Sequence, residues 1–369
     1  MTRRGGAALA LLTIACTSVE PADDLTTRVV RLRAPIATHV EHGRSAPLAF
    51  DVPALGQRVR VTVEAPAGVW VAVAGLRGPA GQVLAPEDWR DHDTTRGEAC
   101  LDCALRLTPG PGAFAVQWPQ GPDAGVAPGR WQVRVVAWTR PGPDGALSPW
   151  TGVATATVDA LVGAVPPRGV RVPVRVLVPV SLASAATLAE VGAAVGEARS
   201  LLGQAGVDLD PVTVHTVADR WQQFDPGRDA ADARQLAEEA QDLPPGLRMA
   251  LVGRIREGAG PPMRGTCPQV PGAAVAHAPT VVAVALGGPA TWTAQAAAHE
   301  VGHWLGLYHP TEAALTGPLV GLTDPIADTT AGDPANLMHP NGHPEAARQW
   351  TPGQAAVAVG QTVPWVALD

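Results

Sequence analysis

Residues 299–309 read His-Glu-Val-Gly-His-Trp-Leu-Gly-Leu-Tyr-His. His299 and His303 are four positions apart, so on a helix they project from one face and can bind one metal ion. Glu300 follows the first of them and reaches a water on that ion rather than the ion itself. Gly306 accepts left-handed backbone angles at no steric cost, so the helix can end there and the chain can turn. The turn returns His309 as a third ligand. Three neutral imidazoles leave a fourth position open for water, which distinguishes a catalytic zinc site from a structural one. Zinc lowers the pKa of such a water to about 7, against about 15.7 in bulk. Glu300 beside it is placed to act as general base and then to hand the proton to a leaving amine. A bare H-E-x-x-H arises by chance in many chains; the extended pattern with Gly306 and His309 fixes five positions and is far rarer.

These residues need a helix under them and a sheet beside it. The Ala-rich stretch 291–298 leads into the motif as helix. Upstream, alternating strand and helix patterns run from about residue 170. Strands are expected at 171–178, 207–217, 247–255 and 280–286, and helices at 183–204 and 230–241, with Ser184 as N-cap of the first and Gly206 near its end. The strand at 280–286 reads either as a rim for an extended substrate, which would pair with it through the backbone, or as an ordinary core strand, given how apolar it is. Residues 28–162 carry a different pattern. Period-two runs at 58–63, 69–73 and 130–138, separated by Gly/Pro turns, predict an antiparallel β-sandwich. Its tryptophans read as core, with carbohydrate binding as the alternative. The expected organisation is a signal at 1–16, a tether at 17–27, an all-β sandwich at 28–162, a linker at 163–169 and an α/β catalytic domain at 170–369.

The extended motif resembles that of the metzincin zinc peptidases, and residues downstream extend the likeness. Asn336, Leu337 and Met338 look like the Met-turn, in which a methionine packs beneath the metal. Asp324, Asp328 and Thr329 form a D-x-x-x-D-T segment similar to that of the pappalysin-like branch. The resemblance spans roughly residues 170–360 and is specific from about 291 to 340. It implies a zinc endopeptidase with an upper sheet, an active-site helix and a smaller C-terminal subdomain. Residues 49–133 loosely resemble the jelly-roll accessory domains of secreted bacterial peptidases. The chain departs from the branch at Thr330, where a proline is usual, and at His339 and Pro340, where an aspartate and a tyrosine are usual. Some metzincins use a tyrosine just after the Met-turn; the one tyrosine here is Tyr308, inside the zinc motif. That role is then vacant or falls to another group such as His339. Asp324, Asp328 and Asp333 could hold calcium, or be turn-forming residues of a solvated loop.

Composition narrows the class. The chain has 369 residues, 46% hydrophobic and 17% charged, which suits a globular protein with a sizeable core. Net charge is −7 and no basic run occurs, so nucleic acid is not an expected partner. All 27 basic residues are arginine, which excludes lysine-based catalysis. Arg3 and Arg4 precede a short apolar stretch ending at Ala15-Cys16, the pattern of an export signal with lipidation at Cys16; ordinary cleavage is the alternative. Cys100 and Cys103, as C-x-x-C in an exported protein, read as a small disulfide loop, with a zinc half-site as the lesser alternative. Cys267 is left over, as a buried thiol or, as the lesser alternative, a latent metal ligand. The expected protein is exported and monomeric, anchored by lipid or secreted, and acts on a protein or peptide. A zinc-binding pseudopeptidase, or a surface protein acting through its sandwich, are the competing readings.

Overall fold

A computed structural model describes residues 28–38, 43–54, 56–87, 106–107, 110–121, 126–139, 148–162, 169–226, 231–256, 258–268, 270, 281–311, 322–340 and 349–366. Cys16, Cys100, Cys103 and most of the 163–169 linker lie outside them, as do the signal and tether.

Alternation at period two builds the N-terminal half. Its strands are β1 (Arg28–Thr38), β2 (Leu48–Val52), β3 (Gly56–Glu64), β4 (Val69–Arg77), β5 (Val83–Ala85), β6 (Gly110–Pro111), β7 (Ala113–Trp118), β8 (Gly129–Thr139), β9 (Ser148–Pro149) and β10 (Gly152–Val162). One antiparallel sheet has the order β1-β10-β3-β7; the other is β2-β8-β4-β5, with β6 beside β4 and β9 beside β8. Inward residues of both sheets form one core: Val59, Val61 and Val63 of β3 and Val158 of β10 meet Val71 and Val73 of β4 and Trp131 and Trp138 of β8. Trp131 and Trp138 are fully buried, which takes the core reading of these tryptophans. The alternate residues of β3 are covered too. Arg60 pairs with Asp159 at 2.6 Å, and Arg58 donates to the carbonyl of Ala356 at 3.1 Å, far along the chain.

The second half is a mixed α/β layer structure. Five strands, β11 (Val170–Pro179), β12 (Val207–Val217), β14 (Leu247–Val252), β17 (Gly265–Thr266) and β18 (Val281–Ala285), lie in the order β12-β11-β14-β18-β17. The first four are parallel and β17 is antiparallel on the edge. A small sheet of β13 (Gln223–Phe224), β15 (Arg254–Arg256) and β16 (Pro262–Met263) lies beside it. Parallel strands joined by helical crossovers are buried on both faces, hence their continuous apolar runs. Val172, Val174, Val176 and Val178 of β11 face helices α1 (Ala185–Gly203) and α3 (Ala290–Trp304); Leu177 faces α2 (Ala231–Glu239). Ser184 caps α1, accepting from the Thr187 N–H at 3.2 Å.

One expectation changes, one open alternative is decided, and one element was not foreseen. The strand expected at 247–255 breaks at Gly253, and β15 leaves for the small sheet. The 280–286 run is a core strand between β14 and β17, so it is not the rim; the edge is β17. A C-terminal helix, α4 (Pro352–Val366), forms where Pro352, Gly353, Gly360 and Pro364 look like breakers. Proline is at home in a first turn, where its missing N–H would have no partner anyway. The Thr351 hydroxyl accepts from the Gln354 N–H at 3.1 Å and so caps it. Among the described residues, no helix is long and apolar enough to cross a membrane.

Candidate metal centre

Helix α3 carries His299 and His303 one turn apart, as their spacing requires. The helix ends at Trp304, and Gly306 takes φ +94°, the left-handed angle that suits glycine. The chain then doubles back: the Leu307 N–H donates to the Gly302 carbonyl at 2.9 Å. His309 arrives opposite the pair. Its Nε2 lies 3.2 Å from His299 Nε2 and 3.1 Å from His303 Nε2. Among the described residues these three histidines are the one group arranged to hold a metal ion.

The two helical rings are aimed from behind. The Leu337 carbonyl accepts from His299 Nδ1, and the Leu307 carbonyl from His303 Nδ1, both at 2.7 Å. Those bonds put the ring proton on Nδ1 and leave each Nε2 lone pair pointing at His309. Lone pairs converging in this way call for a cation between them. Zinc–imidazole bonds of about 2.0–2.1 Å would set tetrahedral ligand atoms about 3.3 Å apart, close to the spacing seen. Burial and the neighbouring His309 and His299 drive His303 well below the usual histidine range, which keeps it in its metal-binding form.

Glu300, next to His299 on α3, is buried. Its carboxyl rests against Gly265 on the edge strand, where an added Cβ would come 2.6 Å from Cγ and 2.7 Å from Oε1. Burial pushes this carboxyl up to about 8, and a hydrogen bond from the Cys267 N–H opposes the rise. Cys267 itself is half-buried and packed against the core, more open than expected.

Met338 is fully buried beneath the helix, and its Sδ occupies the space that a side chain at Gly302 would need. The turn carrying it is pinned by Asn336, whose Oδ1 accepts from the Met338 N–H at 2.8 Å and whose amide donates to Gln354 of α4 at 3.0 Å. The C-terminal helix therefore fixes the turn whose Leu337 carbonyl aims His299. His339 lies outside the three-histidine group; burial first, then nearby His309, lowers its pKa, against a raising influence of Asp333. The acidic segment is internal scaffolding. Asp324 Oδ1 accepts from the Ile326 N–H and the Thr329 hydroxyl, and Asp328 accepts from the Thr351 hydroxyl at 2.7 Å and the Gly353 N–H at 2.8 Å. Asp333 accepts from the Ala335 N–H at 2.9 Å. These bonds suit the turn-forming reading better than a calcium site. Sequence reasoning missed Gly265, the Cys267 N–H and the two orienting carbonyls, because backbone groups leave no residue-type signal.

No family model matches the chain, and no match is found among curated proteins. Among solved structures it is similar to archaemetzincin from Methanopyrus kandleri, at 13% identity over 54% of this chain and 98% of that one, with a TM-score of 0.31. It is also similar to the VP2 subviral particle of infectious bursal disease virus, at 12% identity over 36% of this chain and 32% of that one, with a TM-score of 0.17. Protein YXIM from Bacillus subtilis matches at 12% identity over 60% of this chain and 53% of that one, with a TM-score of 0.17. The geometry around His299, His303 and His309, rather than these distant likenesses, carries the functional reading.

Proposed function

We propose that the chain is a zinc-dependent endopeptidase of the metzincin type. The observation that carries this is the convergence of three Nε2 atoms with a buried Glu300 carboxyl one residue from the first ligand. His299, His303 and His309 would hold the zinc, which supplies Lewis acidity toward a water and a peptide carbonyl. With zinc bound, the cation would favour the ionised form of Glu300 over the raised value of the metal-free site, and that carboxylate would accept the water's proton and return it to the leaving amine. Gly265 leaves room for that carboxyl, and the Cys267 N–H holds it in place. Strand β17 is the edge of the sheet among the described residues, to which an extended peptide can add.

The pappalysin-like affinity is part of the same proposal, supported by the way Asp324 and Asp328 brace the loop between His309 and the Met-turn. For the sandwich we infer a jelly roll: the order β1-β10-β3-β7 against β2-β8-β4-β5, with the chain passing repeatedly between sheets, supports it. An exported, monomeric protein lipid-anchored at Cys16 completes the reading and rests on the pattern of residues 1–16.

The test is digestion of a proteome-derived peptide library by purified protein, read by mass spectrometry, with chelation and zinc re-addition. Cleavages that vanish on chelation and return with zinc are expected. A protein holding one zinc per chain that cleaves nothing would be the pseudopeptidase instead.

A further inference from the structure

The rings of His299 and His303 are aimed by carbonyls of the α/β half itself, but the third ligand is reached from the other half of the molecule. Arg106 belongs to the sandwich half, just before β6. Its Nη1 donates to the main-chain carbonyl of His309 at 3.4 Å. Its guanidinium lies over the ring of Tyr308, 4.5 Å from the centroid. The Tyr308 hydroxyl in turn shares its one proton between the Arg106 and Val270 carbonyls, each at 3.2 Å.

Arg106 is itself held on both sides of its main chain. The Gln120 side chain accepts from the Arg106 N–H at 2.7 Å and donates to the Arg106 carbonyl at 2.7 Å. Gln120 is buried, and its neighbour Gly121 closes on the Pro325 carbonyl, where an added Cβ would come within 3.2 Å. The residue is thus a fixed strut between the sandwich and the tail of the zinc motif. His309 lies past the end of α3, beyond Gly306, so the helix does not set its position. A stacked arginine suits such a strut, because its planar group can cover an aromatic face and donate at the rim together.

We propose that Arg106 is a positioning residue for the third metal ligand, so that the sandwich is a working part of the metal centre rather than an appended module. The proposal rests on the zinc reading of the three histidines and concerns how tightly and with what geometry they hold the ion.

The test uses the full chain, with zinc affinity measured by competition against a chromophoric chelator and ligand geometry by the visible spectrum of the cobalt-loaded protein. The wild type is expected to bind one zinc. Arg106→Ala should bind it about 10- to 100-fold more weakly, as loss of groups supporting metal ligands generally does, with a shifted cobalt spectrum. Arg106→Lys keeps a donor for the His309 carbonyl and should restore part of the affinity. Gln120→Ala leaves the guanidinium but frees its main chain; it should change both readouts in the same direction and carries the test if Arg106→Ala does not fold. A wild type without zinc would end the zinc reading whatever Arg106 does. A zinc-binding wild type whose variants keep its affinity and cobalt spectrum, even with lowered thermal stability, would overturn the role given to Arg106.

Discussion

The carboxyl of Glu300 lies against the bare backbone of Gly265, so close that a Cβ there would fall 2.6 Å from its Cγ. The carboxyl proposed as the base and the sheet edge proposed to receive a substrate are therefore fitted to one another. Gly265→Ala should displace the carboxyl without touching the three histidines. Zinc content should stay at one per chain while peptide hydrolysis falls at least tenfold, an effect of the order expected when a general base is misplaced. Metal analysis beside steady-state kinetics checks this; unchanged turnover would show that Glu300 tolerates the crowding or is not the base.

Glu300→Gln keeps an oxygen to accept from the Cys267 N–H and should preserve fold and zinc. It removes the proton acceptor, so hydrolysis should drop by about 10²- to 10⁴-fold. The two proteins are compared on one peptide library at matched zinc content. Equal cleavage patterns would sink the mechanism.

His303→Ala takes away one of the three proposed ligands, whose ring the Leu307 carbonyl aims at His309. Zinc occupancy should fall to near none. Zinc at a hundredfold excess over its dissociation constant stabilises a folded protein by about 2.7 kcal/mol. The wild type should therefore gain thermal stability on zinc addition and the variant should not, as melting curves with and without zinc will show.

Asp324 has one oxygen with no hydrogen-bond partner, and burial raises its carboxyl from 3.8 to about 6 despite the Thr329 hydroxyl and Ile326 N–H. A raised folded-state value means that the protonated form is favoured on folding. Its stability contribution is complete below about pH 3.8 and is lost as pH rises through about 6. Asp324→Asn keeps an accepting oxygen and removes the charge. The metal-free variant should exceed wild type by about 1–2 kcal/mol at pH 8, solvent access allowed for, and match it near pH 4. Urea unfolding at the two pH values decides; an unaltered difference between them would refute the linkage.

The sequence by itself determined the centre of the site and the texture of both halves. Spacing of four on a helix places His299 and His303 on one face whatever surrounds them, and Gly306 marks the turn that brings His309 round. These are local rules of backbone geometry, and so is the period-two alternation that revealed the sandwich strands and β11. Tertiary structure decided the rest, because it depends on which distant segments come to lie together. Nothing in the run 280–286 says that Gly265 and Thr266 will pair outside it and take the edge. Helix α4 was hidden because glycine and proline weigh against a helix locally, while burial of Val357 and Ala358 and the Gln354–Asn336 bonds favour it globally. Arg106 reads as any exposed loop arginine until folding lays it over Tyr308, more than two hundred residues along the chain. Residue type and spacing name the atoms that can bind a metal, but only packing between distant segments sets how those atoms are aimed and held.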